Sequence, residues 1–140
     1  MSGRPLLDAP GALGEVGPDE TREFRARLAA GDFCLQRCHG CRTEHFPPGP
    51  ACWRCGQVGL EWLPVEDPSA VVRSAVTIHR SFMAFADQVP YAVVLGELRA
   101  HPGVRVIARL AGEAVPIGSG VELVWTGDPS RAGYHWEPRP

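Results

Sequence analysis

Four of the five cysteines stand as Cys38-x-x-Cys41 and Cys52-x-x-Cys55, two knuckles separated by ten residues. The turn in a Cys-x-x-Cys knuckle lets both thiolates reach one ion, so two knuckles offer four sulfurs to one tetrahedral centre. Paired spacing of this kind in a reducing compartment reads as a metal site rather than a disulfide framework. Zinc is the leading choice. A shell closed by four sulfurs leaves no position for water, so the ion would fold the chain rather than activate a nucleophile. Rubredoxin-like iron and four buried thiols without metal are the alternatives that the spacing leaves open. Gly40 inside the first knuckle and Gly56 just after the second are expected to supply the backbone freedom of the turns. The remaining Cys34 reads as a buried apolar thiol, and His39 and His45 as residues beside the ligands rather than among them.

Other chemistry is sparse. The chain has 140 residues, 14 arginines and no lysine, which removes Schiff-base and amine-nucleophile mechanisms. No Gly-x-Ser-x-Gly, His-Glu-x-x-His, phosphate-loop or dinucleotide fingerprint is present, and no histidine acquires a catalytic role from its neighbours. The formal net charge of −2 speaks against a chain whose main task is to neutralise nucleic-acid phosphates. Arginines 37, 42 and 54 decorate the knuckles, and Arg73, Arg80, Arg105 and Arg109 lie on strands or their ends. They read as solvated charge or as donors to a phosphate. The segment His79 to Ala86 places Phe82, Met83 and Phe85 in a loop. Such a loop either meets a partner or ligand, or caps an apolar core.

The elements that must position these residues follow in order along the chain. Residues 1–18 are rich in Gly and Pro and read as a flexible tail. Asp19 to Ala30 carries acids first, arginines later and Phe24 and Leu28 four apart, with Gly31 as a stop, which predicts a short amphipathic helix over 19–31. Its stripe is narrow, so it should dock on something. Short strands over Phe33 to Arg37 and Leu60 to Val65 bracket a metal ribbon over 32–66. Beyond it, β-branched runs over Ala70 to His79, Tyr91 to Leu98, Val104 to Leu110, Val121 to Trp125 and Tyr134 to Glu137 predict a small five-stranded barrel over 67–140. The class is mainly β. No apolar run nears the ~20 residues needed to span a bilayer, and the start lacks a basic stretch followed by an apolar one, so a cytoplasmic chain is expected.

The order helix, Phe33-Cys34-Leu35-Gln36-Arg37-Cys38-His39-Gly40-Cys41, Phe46-Pro47-Pro48, Cys52-Trp53-Arg54-Cys55-Gly56, Leu60-Glu61-Trp62 and Val89-Pro90-Tyr91-Ala92-Val93-Val94-Leu95-Gly96-Glu97-Leu98 resembles the zinc-ribbon OB-fold family catalogued as domain of unknown function thirty-five. The likeness runs from about Thr21 to the C-terminus. It implies a rubredoxin-like zinc ribbon followed by an OB-fold barrel, with Cys38, Cys41, Cys52 and Cys55 as ligands of a structural Zn²⁺. It also implies no catalytic residues. Members are accessory subunits or fused domains beside thiolase-superfamily proteins such as thiolases, acyltransferases and lipid-transfer-protein-like aldolases. By that analogy the helix and ribbon would form much of the dock in a hetero-oligomer, and the barrel would help shape an acyl-CoA site. The residues assigned to that surface are Phe24 and Leu28 on the helix and Arg80, Phe82, Phe85, Pro90 and Tyr91 beyond it. Where the family often has Cys-Pro-x-Cys in the second knuckle, this chain has Trp53.

Two other functions compete. OB barrels and zinc ribbons bind single-stranded nucleic acid elsewhere, which would require aromatic platforms amid basic residues. An independent thioesterase or hydratase would need an acid and a base in one pocket, and the spacing identifies no such pair.

Overall fold

The structure is a computed structural model and describes residues 19–127 and 133–140. The tail expected over 1–18 lies outside the described residues, as does most of the turn after Gly127. Helix α1 (Asp19–Ala29) leads into strands β1 (Cys34–Arg37), β2 (Glu44–His45) and β3 (Glu61–Pro64), followed by β4 (Ser69–Ile78), β5 (Tyr91–Leu98), β6 (Arg105–Leu110), β7 (Gly120–Thr126) and β8 (Gly133–Pro138). A single 3₁₀ turn, Met83–Phe85, lies between β4 and β5. Sequence patterning missed β2, because two residues carry no alternation that a period of two can reveal.

The ribbon sheet runs β2-β1-β3, all antiparallel, and the other five strands close a barrel in the order β4-β5-β6-β8-β7. The first and fourth barrel strands, β4 and β7, pair to complete the ring. Among the described residues the single parallel contact, between β6 and β8, rests on one pair, Leu110 with Trp136. This circuit of strands is that of a five-stranded OB barrel. Along β5 burial alternates strictly, with Ala92, Val94 and Leu98 inside. An irregularity at Arg73 shifts the register of β4 against β5 and sends Ser74 and Val76 outward.

Trp136 is fully buried in the barrel and donates its indole N–H to the Val94 carbonyl at 3.2 Å. Gly96 sits against that ring, and a Cβ there would lie 2.5 Å from it. The residue must therefore be glycine for want of space. Helix, ribbon and barrel share one core. Phe24 and Phe33 meet edge to face at 5.3 Å, and Phe33 reaches Phe46, Trp125 and Tyr134 at 5.2, 5.8 and 5.1 Å. The Trp125 indole bonds the Gly31 carbonyl at 2.8 Å, and His101 meets Glu44 of β2 at 2.9 Å, so the turn into the ribbon and its strand β2 are each tied to the barrel.

The apolar stripe of α1 is consumed by this packing. Phe24 and Leu28 are buried within the chain itself, which corrects their assignment to a partner-facing surface. Sequence could identify the stripe as apolar but not what it covers.

Candidate functional site

The four knuckle cysteines converge. Their sulfurs all lie within 4.8 Å of one another, with Cys38 and Cys55 at 3.5 Å and Cys41 and Cys52 at 3.6 Å. A tetrahedral ion with metal–sulfur bonds of about 2.3 Å needs sulfurs about 3.8 Å apart. The cluster therefore fits one thiolate-bound metal ion. The two knuckles are built alike. In the first, Cys38 N–H bonds the Thr43 carbonyl at 2.9 Å and Arg42 N–H the Cys38 carbonyl at 3.1 Å; in the second, Cys52 N–H bonds Gln57 at 2.8 Å and Gly56 N–H bonds Cys52 at 2.9 Å. The position four residues after each leading cysteine is left-handed, with φ of 64° at Arg42 and 80° at Gly56. The expected role of Gly56 therefore holds, whereas Gly40 is not where the first turn needs freedom. A Cβ on Gly40 would instead meet the Gln57 amide oxygen at 2.5 Å. Alanine at position 56 would force a side chain into the left-handed region, at a cost of about 1–2 kcal/mol. Gly56→Ala should accordingly lower the melting temperature of the metal-loaded chain by several degrees in a thermal melt, and an unchanged melt would refute this account of the turn.

Backbone N–H groups of Arg54 and Cys55 both donate to the Cys52 sulfur at 3.4 Å. The Thr43 hydroxyl, 3.1 Å from the Cys41 sulfur, and the Thr43 backbone bring the Cys41 thiol down to about 6. The backbone of Gln57 favours the Cys55 thiolate, but sharing with Cys38 and burial outweigh it and push Cys55 up to about 11. Thr43 and Gln57, which sequence reasoning missed, thus sit directly on the sulfurs. Their only signal was their place just past each knuckle.

Around the centre, Glu61 on β3 gathers Arg37 at 2.6 Å, His39 at 3.7 Å and Arg42 at 3.8 Å, and the hydrogen bond from Arg37 holds its carboxyl below the usual range. His45 is buried beside Trp53, and loss of solvent lowers its pKa. Both flanking histidines lie outside the sulfur cluster. Cys34 is buried on β1, and burial raises its thiol. Trp53 stands 76% exposed on the second knuckle.

A second feature lies on the barrel. A cavity of about 500 Å³ is bordered by Pro90, Tyr91, Arg109, Leu110 and Glu113, among others. The Arg109 guanidinium covers the Tyr91 ring at 4.3 Å and donates to the Gln88 side chain. Tyr91 in turn meets Ser81 at 3.3 Å and the Phe85 ring at 6.4 Å. The structure thus gathers Phe85, Pro90 and Tyr91 at one end of the barrel. Arg80 is exposed and does not line the cavity. Phe82 and Met83 are 82% and 94% exposed, so the alternative in which Phe82 caps the core is excluded. Arg109 and Gln88 were not foreseen as pocket residues, since their approach to Tyr91 depends on strand register. Among the described residues no helix is long and apolar enough to cross a membrane.

The family described as "ChsH2, C-terminal OB-fold domain" matches residues 62–126. A "probable enoyl-CoA hydratase alpha subunit" of Thermomonospora curvata is 35% identical over 94 residues, which are 65% of this chain and 28% of that protein. The chain therefore spans under a third of that relative's length. Among solved structures, "Ltp2-ChsH2(DUF35) aldolase" superposes with a TM-score of 0.71 at 30% identity, covering 89% of this chain and 97% of the other. A DUF35-family protein of unknown function from Sulfolobus solfataricus gives 0.65 at 14% identity, covering 89% of each chain, which is a likeness of fold.

Proposed function

The chain belongs to the DUF35 family, and on that premise we propose that it is a non-catalytic accessory subunit of an acyl-CoA-processing complex whose reactive groups sit on a thiolase-like partner. The observation that carries this reading is the likeness to the DUF35 component of an aldolase along nearly the whole of that chain. The chemistry of the site supports it. Cys38, Cys41, Cys52 and Cys55 would hold Zn²⁺ as a closed structural centre, which supplies rigidity and no open coordination position. The barrel cavity, lined by Thr77, Gln88, Tyr91, Arg109 and Glu113 with apolar neighbours, holds no histidine, cysteine or serine, and Tyr91 and Glu113 are the lining groups able to carry a proton. A guanidinium does not exchange protons at neutral pH. What Pro90, Tyr91, Leu110 and Arg109 can do is border an acyl chain and give a fixed positive charge near an anionic ligand such as CoA. The chemistry of the complex, whether acyl transfer, thiolysis or retro-aldol cleavage, would then belong to the partner in the cytoplasm.

Co-expression with the thiolase-superfamily proteins of its own genome, followed by size-exclusion chromatography and metal analysis, tests the reading. Co-elution with one of them, and thioester turnover only by the pair, is the expected result. Turnover of an acyl-CoA by the chain alone, or salt-sensitive binding of single-stranded oligonucleotide without any protein partner, would overturn it.

A further inference from the structure

The outside of an antiparallel barrel facing water should be polar, and much of this one is. The three neighbouring strands β4, β5 and β6 depart from that pattern. Their cross-strand registers set Ser74 beside Leu95 beside Ile107, then Val76 beside Val93 beside Arg109, then Ile78 beside Tyr91. The inward positions of the same strands, Val72, Val94, Val106 and Ala108, fill the core, so these rows face outward. Val76 is 53% exposed and Ile107 60%, with half-buried Leu95 and Val93 between them. Opposed side chains on one sheet face lie about 5 Å apart, which makes the rows one continuous apolar surface. The loop carrying Phe82 and Met83 joins β4 to β5 at its end.

The charge around this surface is one-sided. Residues 69–110 hold five arginines against two acids, whereas the whole chain is at −2. Arg73 and Arg105 flank one edge and share a single carboxylate, Glu97, at 3.5 and 3.2 Å. Exposed Arg80 stands towards the other, while Arg109 is buried with its guanidinium over the Tyr91 ring. Two copies placed face to face would bring these arginines together, a like-charge arrangement that opposes self-association. The branched aliphatic side chains of the strands, rimmed by arginine, fit a protein surface that is apolar at its centre and acidic at its rim.

We infer that the outer face of β4–β5–β6, with Phe82 and Met83 at its end, is the surface that docks the catalytic subunit, and that the subunit meets it with an apolar patch rimmed by acidic side chains. This inference rests on the function proposed above and replaces the helix as the principal dock. The surface is also adjacent to the cavity at Tyr91, so docking here would close the partner over that cavity.

The test compares the wild-type chain, a Val76→Glu/Ile107→Glu double variant and a Trp53→Ser control on the ribbon. Each is measured for affinity to the thiolase-like subunit that the wild type captures, alongside metal content and thermal melting. Both positions face solvent, so the double variant should keep its metal and melting temperature while its affinity falls at least a hundredfold. Trp53→Ser should stay within threefold. Arg80→Glu/Arg105→Glu should slow association and flatten its salt dependence. If the double variant binds like the wild type, or if Trp53→Ser alone abolishes binding, the docking face is wrong while the accessory function stands. If the wild type captures no thiolase-like protein, both fail. Sedimentation of the chain alone and flotation with anionic phosphatidylserine vesicles complete the test. Self-association or vesicle binding lost in the double variant would assign the face to a second copy or to lipid and overturn the inference.

Discussion

Cys38→Ser or Cys52→Ser will empty the metal centre and unfold the ribbon. Both side chains are buried, and each sulfur is one of only four in the cluster. Metal binding by structural zinc sites is worth about 10–16 kcal/mol at neutral pH, as much as the ~5–15 kcal/mol that holds a typical domain together. The damage should spread, because Phe33 and Phe46 of the ribbon pack against Trp125 and Tyr134 of the barrel. Elemental analysis should fall from about one metal ion per chain to near none, and circular dichroism should show loss of the cooperative melt. Binding to the catalytic partner should disappear with it. Chelation of the wild-type chain should reproduce the effect, and so should acid, since protons compete with the ion for the thiolates. Metal uptake near neutral pH should release protons, with Cys55 an expected source: its thiol, pushed up to about 11, must ionise to bind, whereas Cys41 at about 6 is already largely ionised. A serine variant that retains a full complement of metal and melts like the wild type would refute the four-sulfur centre.

Trp136→Ala is expected to be the most damaging change within the barrel. The side chain is fully buried and bonds the Val94 carbonyl, and it stands at the residue whose backbone pairs β8 with Leu110 of β6. Removing a buried tryptophan costs about 3–5 kcal/mol. Gly96→Ala attacks the same contact from the other side. Its methyl would stand 2.5 Å from a rigid, enclosed ring, and overpacking of this kind costs about 1–3 kcal/mol. The two effects should be coupled. In a Trp136→Leu background the smaller side chain leaves room, so the penalty of Gly96→Ala should shrink by more than half in a double-mutant cycle read by urea unfolding. Equal penalties in both backgrounds would mean that the ring does not hold position 96 to glycine.

Much of the framework was legible before the tertiary arrangement. The strand over Tyr91 to Leu98 matches β5 residue for residue, and the others fall within a residue or two of their expected limits. Those runs are β-branched, bounded by Pro and Gly, and long enough for alternation to register. The four-cysteine cluster was legible because the spacing within each knuckle is a local property of the backbone turn. Gly40 shows the limit of such local reasoning. Its glycine suggested a turn conformation, yet the left-handed residue is Arg42, and position 40 is constrained by the Gln57 side chain from the other knuckle.

The sequence by itself determined the paired cysteine knuckles, the order of helix, ribbon and barrel, and the exclusion of lysine chemistry, because each depends on residue type and near-neighbour spacing. Only the tertiary structure decided which apolar residues are spent. Phe24 and Leu28 disappear into the chain's own core, while Val76 and Ile107 remain outside. The physical reason is that a strand apolar at both odd and even positions does not say which side is the interior. Pairing register and the irregularity at Arg73 assign that side, and both are set by partners distant along the chain.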